Sequence, residues 1–254
     1  MIRKIRVAVW NEFWDERLFD HVKKIYPEGI HNAIADSLKE DKSLEVTAVS
    51  FEDPDYGLSD HILDQTDVLI WWSHVIPHKV PDDRIEKIYN RVYREGMGFI
   101  ALHSGMYSKI FGRLVGECMN SAFREDGEKE RVWIVNPAHE ICNGLGAFFE
   151  IEHTEVYREP TGFPLPDELL FISWYAGGEA GISGGCYYRG LGRIFYFTPG
   201  HEDYPVYYNE NVRRIINNGV HWAYNPGCVQ YERGEVAALE ALDDSELLHY
   251  LKNR

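Results

Sequence analysis

The sequence predicts an α/β fold, in which a parallel sheet carries helices on both faces and continues into a β-rich extension. Strand-like and helix-like segments alternate over the first 116 residues, which is typical of a parallel sheet. From about 117 to 198, short β-rich segments are separated by Gly and Pro turns, which is typical of antiparallel strands. The 254 residues fit one large domain, or a domain with a small appendage.

The alternating part contains four segments with the apolar or β-branched pattern of strands. They are residues 5–10, 44–51, 67–72 and 99–102. Helices are predicted at 30–40, where apolar residues recur at helical spacing, and at 81–96, which starts with Pro and ends in Gly. A sharp turn follows the fourth strand, and Ser108 is predicted to cap the next helix.

Beyond the extension, a helix at 209–224 is predicted to return the chain to the sheet, with Asn209 as its cap. We place the domain at residues 1–226. Residues 227–254 change character, and we expect them to form a tail that packs on the domain or on a partner subunit. The apolar stripe of this tail comes from Leu239, Leu242 and Leu247, and the alternative to packing is exposed apolar surface.

Composition limits the possible partners. A formal net charge of −15 repels phosphate backbones and anionic lipids, so we expect neither nucleic acid nor a membrane surface as a partner. No apolar run approaches the roughly 20 residues that span a bilayer, and the first residues lack a signal-peptide cleavage region. The four Cys are widely spaced, which is typical of reduced thiols in a cytoplasmic protein.

Histidines follow several of the predicted strands. In a doubly wound sheet, ligands bind beyond the carboxyl ends of the strands, where His74, His103 and His201 are placed. His31 comes later in the loop after the first strand, and its alternative role is to begin a helix. Either His74 or His78 is expected to be structural, because the residues between them break helical spacing.

These residue types support two kinds of chemistry. Imidazoles with a carboxylate are common ligands of divalent metals, Zn²⁺ above all, whereas a His–acid pair can act as a general base and its orienting group. Four carboxylates are candidates for either role: Glu155, Glu179, Glu202 and Asp203. On a regular strand, His153 and Glu155 would share one face, so both would point at the site or both at solvent. The Gly-rich stretch at 175–185 is either a loop that closes over a ligand or a plain hairpin turn.

Several unusual strings in order resemble one family. "IYPEGIH", "DVLIWWSH", "GMGFIALHSGMYSKIFGRLVG", "FISWYAGGE" and "GRIFYFTPGHEDYP" together look like the ThuA-like (trehalose utilisation) proteins, over about residues 4–226. That resemblance implies a flavodoxin-like three-layer sandwich, related in fold to class I glutamine amidotransferases. The wider family carries a nucleophilic Cys in a G-x-C-x-G turn and a later His-x-Glu pair.

The chain departs from that pattern at its central position. In "ALHSG", His103 stands where the wider family has the nucleophilic Cys, and in "HED", His201 and Asp203 stand at the His and acid places. We therefore expect no glutamine amidotransferase activity and no catalytic Cys. Ser104 lies one step past the nucleophile position, and we expect it to offer its N–H or hydroxyl to a ligand.

The resemblance implies a role in carbohydrate metabolism. We expect an enzyme without a Cys nucleophile, a hydrolase, lyase or isomerase, that acts on a disaccharide or an oxidised sugar derivative. The alternative is a non-catalytic module that binds carbohydrate or metal, and a metal-free Cys-type amidase or protease is a third. The partner is then a sugar-like small molecule, with a homo-oligomer as a further possibility.

The expected catalytic residues are His103, His201, Glu202 and Asp203, with His103 and His201 also the expected metal ligands. The expected substrate-binding residues are Trp14, His31, His74, Ser104, Tyr107, Glu155 and Glu179. An aromatic rim is expected to stack on sugar C–H faces, and its members are Trp10, Trp14, Trp71, Trp72 and Tyr107.

Overall fold

The computed structural model describes residues 3–116, 121–162, 164–227, 240 and 249–253. Its strands, in chain order, are β1 (Ile5–Asn11), β2 (Leu44–Ser50), β3 (Val68–Trp72), β4 (Gly98–Leu102), β5 (Ala122–Ile134), β6 (Phe148–Arg158), β7 (Glu168–Tyr175), β8 (Ala180–Arg189) and β9 (Gly192–Phe197). Its longer helical segments are α1 (Asp15–Leu18), α2 (Asp20–Ile25), α3 (Ile30–Leu38), α4 (Asp60–Gln65), α5 (Asp82–Glu95), α6 (Lys109–Leu114) and α7 (Glu210–Ala223).

All these strands form one sheet in the order β2-β1-β3-β4-β9-β8-β7-β5-β6. The first five strands of that order run parallel. The order β2-β1-β3-β4-β9 corresponds to the 2-1-3-4-5 order of flavodoxin-like folds, with β9 as the fifth parallel strand. From β9 onward every neighbouring pair is antiparallel. The predicted flavodoxin-like α/β sandwich with a β-rich extension is therefore confirmed.

Helices cover both faces of the parallel half. On one face α3 and α7 pack against one set of alternate strand residues, and on the other face α4, α5 and α6 pack against the intervening set. Ile100 and Phe99 on β4 show this alternation, because they belong to opposite layers and both are fully buried. Gly98 lets α7 approach closely, since a Cβ there would lie 2.6 Å from the carbonyl oxygen of Ala223.

The expected aromatic rim is wrong for three of its members. Trp10, Trp71 and Trp72 are completely buried, because they lie on the central strands β1 and β3 and are covered by the helix layers. The Trp10 and Trp71 rings stack with centroids 3.9 Å apart. These indoles are core residues, which is the commoner fate of aromatic side chains on central strands.

The loop predicted after the first strand is largely helical, since α1 and α2 lie in it. Acidic residues in the first turn of each helix complement the helix dipole there. The predicted tail falls almost entirely outside the described residues, including Leu239, Leu242 and Leu247, and its packing stays a prediction. None of the described helices is long and apolar enough to cross a membrane.

Truncating the core at β4 tests the layer packing. Replacing Ile100 with Ala should lower the free energy of unfolding by about 2–5 kcal/mol, because it removes a fully buried side chain between the sheet and α7. Ile100→Val, the matched control, should cost about 0.5–1.5 kcal/mol. Urea denaturation measures both, and equal losses for the two variants would contradict this packing.

Candidate functional site

The carboxyl ends of four parallel strands are in register. Asn11 pairs with Trp72, Trp72 with Leu102, and Leu102 with Phe197, so β1, β3, β4 and β9 end at one level. The residues that follow these ends therefore gather at one rim, beside the point between β1 and β3 where the strand order reverses. The site is built on this rim.

His103 follows β4 at a strained turn. Its φ is +51°, a left-handed conformation that is uncommon for residues other than glycine. The ring is 1% exposed, stacks on Trp72 with centroids 6.3 Å apart, and places Nδ1 3.0 Å from the carbonyl oxygen of Thr198. Ser104, the next residue, is also buried and donates its hydroxyl proton to the carbonyl of Ser73 at 2.8 Å. That bond ties the turn to the neighbouring strand end.

Three side chains converge beyond this turn, and we call His103, Glu155 and His201 the central trio. Oε2 of Glu155 lies 3.2 Å from Nε2 of His103 and 3.9 Å from Nε2 of His201. The two imidazole centroids are 5.4 Å apart. These three atoms are buried and have no hydrogen-bond partner in the described structure. The structure thus brings the two expected histidines together and adds a carboxylate between them.

Glu155 reaches the trio through an irregularity in the sheet. Between the pairs Arg124–Val156 and Glu128–Thr154, three residues of β5 face one residue of β6, which is Glu155. Such bulges re-aim side chains next to functional sites. The simple alternation expected for β6 therefore fails: Glu155 is buried, whereas His153 is exposed and bonds the carbonyl of Gly127 at 2.9 Å.

Hydrogen bonds assign a different proton position to each imidazole of the trio. Nδ1 of His103 faces a carbonyl and so carries a proton, which leaves a lone pair on Nε2 when the ring is neutral. Nδ1 of His201 instead accepts the N–H of Asp203 at 3.2 Å, so a neutral His201 carries its proton on Nε2. Burial, reinforced by the charge of His103, lowers the pKa of His201 and favours that neutral form.

His74 forms a second charged group beside the trio. Its Nδ1 lies 2.9 Å from Oε1 of Glu202 and 3.4 Å from Oδ2 of Asp15. Burial opposes the charged ring, but these two carboxylates outweigh it and raise the pKa of His74 to about 11. Burial likewise opposes ionised Glu202, but His74 and the other imidazoles hold the pKa of that carboxyl at about 2. An imidazolium between two carboxylates results.

Buried acids hold the loops that carry this group. Glu12 accepts the backbone N–H of Ile76 at 3.0 Å and also that of Val75, which fixes the loop after His74. Glu16 accepts the Asn11 amide at 2.7 Å and the Ile30 N–H at 2.8 Å, which ties α1 to the start of α3. Burial raises the pKa of both carboxyls.

Four expected substrate-binding residues have contacts outside the trio. His31 is the second residue of α3, its Nδ1 lies 3.3 Å from the Asn11 amide, and burial lowers its pKa to about 4. Glu179 pairs with Arg124 at 2.7 Å in the β7–β8 turn. The Tyr107 hydroxyl accepts the N–H of Ser121 at 3.2 Å. The half-buried Trp14 precedes α1, with its ring 5.9 Å from the guanidinium of Arg17.

The two acids after His201 point in different directions. Glu202 is buried with Oε2 3.7 Å from Nδ1 of His201, whereas the Asp203 carboxylate lies 2.7 Å from Nε2 of His21 at the surface. Asp203 contributes to the site through its backbone N–H, and Glu202 is the acid of this pair that faces the imidazoles. Of the two acids expected to pair with His201, Glu202 lies near its ring, whereas the carboxylate of Asp203 does not.

Two further acids of the site region, besides Glu12 and Glu16, were not among the expected site residues. Asp15 contacts His74, and the sequence feature that pointed to it was its place in the polar loop after the first strand. Glu130 is buried on β5, accepts a hydrogen bond from Ser173, and has a pKa raised by burial to about 7. Nothing in "GEKERVW" distinguishes Glu130 from the other charged residues of the stretch.

The described cysteines are buried away from the trio. Cys142 and Cys186 are free thiols, and burial raises the pKa of both, which keeps them protonated. The nearest imidazole to Cys186 is His139, with 3.9 Å between Sγ and Nε2. Cys118 and Cys228 lie outside the described residues, so the expectation that no cysteine is catalytic stays a prediction.

Fold and site together define a flavodoxin-like α/β protein with an imidazole–carboxylate centre at the ends of its parallel strands. The chain belongs to the trehalose utilisation (ThuA) family, whose model matches residues 6–223. This match confirms the resemblance seen in the sequence. A comparison with curated proteins finds no significant match.

Solved structures show the same architecture at low sequence identity. A ThuA-like protein from Parabacteroides merdae superposes with a TM-score of 0.66 at 13% identity, covering 91% of this chain and 93% of its own. One from Bacteroides uniformis gives 0.65 at 13% identity, covering 88% and 93%. A cytoplasmic protein from Salmonella typhimurium gives 0.55 at 11% identity, covering 87% and 100%. These likenesses establish the fold.

The strained turn at His103 has a measurable consequence. Both His103→Ala and His103→Gly remove the ring, but Gly should be the more stable by up to about 1 kcal/mol, because only Gly tolerates φ of +51° without strain. The same pair at Ser104, where φ is not positive, should show the opposite order. Thermal or urea unfolding measures the four variants. A His103→Ala variant that is more stable than His103→Gly would contradict the strain.

The His74 group should make stability depend on pH. Its folded pKa of about 11 exceeds the unfolded value of about 6.5, so its contribution is complete below pH about 6.5 and is lost as pH rises toward 11. Urea unfolding from pH 6 to pH 9 should therefore show wild type losing stability relative to His74→Gln. Parallel curves for the two proteins would exclude a charged His74.

Proposed function

We propose that the protein is an enzyme of carbohydrate metabolism that acts on a disaccharide or an oxidised sugar derivative by acid–base chemistry at the central trio. Its family is one of trehalose utilisation, which supports the metabolic role. The observation that carries the chemistry is the 3.2 Å approach of two buried lone-pair atoms, Nε2 of His103 and Oε2 of Glu155. Two acceptors at that distance repel each other unless a proton or a cation lies between them.

In this proposal a proton lies between His103 and Glu155. The pair then acts as a general acid toward a substrate oxygen, or as a general base once the proton has left. Such groups contribute about 10²–10⁴-fold to a rate. His201, neutral with its proton on Nε2, directs that N–H toward the same point. His74, charged and fixed by two carboxylates, supplies positive charge where an oxygen becomes negative.

A divalent metal, Zn²⁺ in the first instance, is the second candidate for the space within the trio. Potential ligand atoms of His103, Glu155 and His201 lie within 4.8 Å of one another. Tetrahedral Zn²⁺ places its N and O ligands about 3.3 Å apart, close to the 3.2 Å between His103 and Glu155. The carbonyl on Nδ1 of His103 also orients that ring as a ligand.

His201 favours the proton over the ion. To bind a cation through Nε2, it must move its proton to Nδ1 and lose the N–H contact from Asp203. The Glu202 carboxylate, 3.7 Å from Nδ1, is then the acceptor for that proton. A second possible ligand set, His74, His201 and Glu202, requires the imidazolium of His74 to give up its proton. Each arrangement adds a deprotonation cost to metal binding.

We further propose a cytoplasmic location. The widely spaced cysteines support it, and so does the likeness in fold to a protein described as cytoplasmic. Homo-oligomer formation remains a prediction.

Turnover of trehalose and of its oxidised derivatives, followed by product analysis, tests the proposed chemistry. Glu155→Gln keeps the shape of the side chain but cannot hold the shared proton, so it should lower activity at least about 10²-fold. Glu152→Gln, an exposed position on the same strand, is the matched control and should leave activity unchanged. Binding of these sugars without turnover would identify a non-catalytic carbohydrate-binding module instead.

Metal analysis of the same preparation separates the two candidate centres. Under the proton proposal, chelator treatment leaves activity and the melting temperature unchanged, and the purified protein carries no stoichiometric metal. Stoichiometric Zn²⁺ that is lost in both His103→Ala and His201→Ala, with activity restored by Zn²⁺ after chelation, would replace the proton proposal by the metal one.

A further inference from the structure

The cleft above the His74 group has a one-sided charge. It encloses about 330 Å³, and the carboxylates of Asp15, Glu125, Glu202 and Asp203 line it. No lysine or arginine is among the described residues that line it. The His74 imidazolium offsets part of this charge, because it contacts two of these carboxylates, and His21 contacts a third. The cleft therefore has a negative potential.

The polar groups of the cleft are mostly hydrogen-bond acceptors. An ionised carboxylate accepts hydrogen bonds and donates none, so four of them match a ligand that is rich in donor hydroxyls. At the edge, Phe19 and Val75 are 46% and 41% exposed and offer apolar contact beside these acceptors. Hydroxyl groups together with an apolar C–H face are the features of a neutral sugar ring.

Glu125 is the unpaired charge at the mouth of this cleft. It lies in the bulge of β5 that faces Glu155, and its carboxylate makes no ion pair with any residue in the described ranges. The cation nearest in sequence, Arg124, is engaged by Glu128 and Glu179. An exposed carboxylate without a counter-ion is free to repel an approaching anion.

We propose that this cleft selects uncharged, hydroxyl-rich ligands and excludes phosphorylated or carboxylated ones, and that Glu125 sets this selectivity at the rim. The ligand class rests on the proposed function, whereas the exclusion of anions rests on the cleft itself. A phosphate ester carries about −1.5 to −2 charges at pH 7, so it meets repulsion from several carboxylates at once. Repulsion of anionic ligands gives this selectivity without any additional contact to the uncharged ligand.

A paired binding measurement tests the selectivity. Calorimetry at low salt compares trehalose with its 6-phosphate on wild type, Glu125→Lys and Glu45→Lys. Trehalose should bind at least about tenfold more tightly to wild type, and Glu125→Lys should narrow that ratio about 3- to 10-fold. Glu45→Lys changes the net charge equally on β2, at the opposite edge of the sheet, and should leave the ratio unchanged. Equal affinities on wild type, or the same ratio in all three proteins, would overturn the proposal.

A second measurement needs no sugar. His21 lines the cleft, so its alkylation by anionic iodoacetate and by neutral iodoacetamide reports the local potential, with the exposed His61 as the internal reference. The ratio of the alkylation rate with iodoacetate to that with iodoacetamide should be several-fold lower at His21 than at His61. Glu125→Lys should bring the two ratios closer together. Equal ratios at both histidines would overturn the exclusion of anions.

The two measurements separate two kinds of failure. If neither sugar binds while iodoacetate is still excluded at His21, the sugar assignment of the proposed function fails and the charge selectivity stands. If the sugars bind with equal affinity and the alkylation ratios are equal, the selectivity fails and the proposed function stands.

Discussion

The contact between His103 and Glu155 is the interaction on which the site depends. Both side chains are almost completely buried, and a buried carboxylate is costly unless a positive charge or a hydrogen bond compensates it. The Thr198 carbonyl and the Trp72 ring fix the imidazole, and Trp72 in turn donates its indole N–H to the carbonyl of Gly200 at 3.1 Å. The imidazole of His103 can therefore compensate the Glu155 carboxylate only if β3, β4 and β9 end side by side.

Replacing a thiol by an imidazole at this turn changes what the rim can do. A thiolate attacks a carbonyl, whereas a neutral imidazole with its Nε2 lone pair directed inward takes up a proton or binds a cation. The surrounding groups suit that change. The carboxylates of Glu155 and Glu202 stabilise positive charge at the rim, and the imidazolium of His74 carries such a charge. The flavodoxin-like frame is shared with proteins of other chemistry, so the function is argued from these side chains rather than from the fold.

Much of the fold and part of the site could be predicted from the sequence. Strand and helix periodicity located the parallel half, and the strand-end rule placed His74, His103 and His201 on one rim. Glu155 was a candidate, but a regular strand would have given His153 the same direction. The bulge that separates the two arises from pairing between β5 and β6, which local periodicity does not encode. Buried Trp10 and Trp71 were misplaced at the rim for the same reason, since only packing distinguishes a core indole from an exposed one.

The resemblance to the wider family supplied the imidazole in place of a thiol. The sequence by itself determined the α/β class, the histidines that follow several strands, and the strong negative charge. These follow from residue type and spacing, which act over a few positions along the chain. Only the tertiary structure decided that Glu155 completes the trio, that Glu202 rather than Asp203 faces the imidazoles, and that Glu179 pairs with Arg124. Glu202 is adjacent to His201, and its contact with the distant His74 holds it at the imidazoles. The positions of Glu155 and Glu179 depend on contacts between residues far apart in sequence, which strand register and the sheet bulge set.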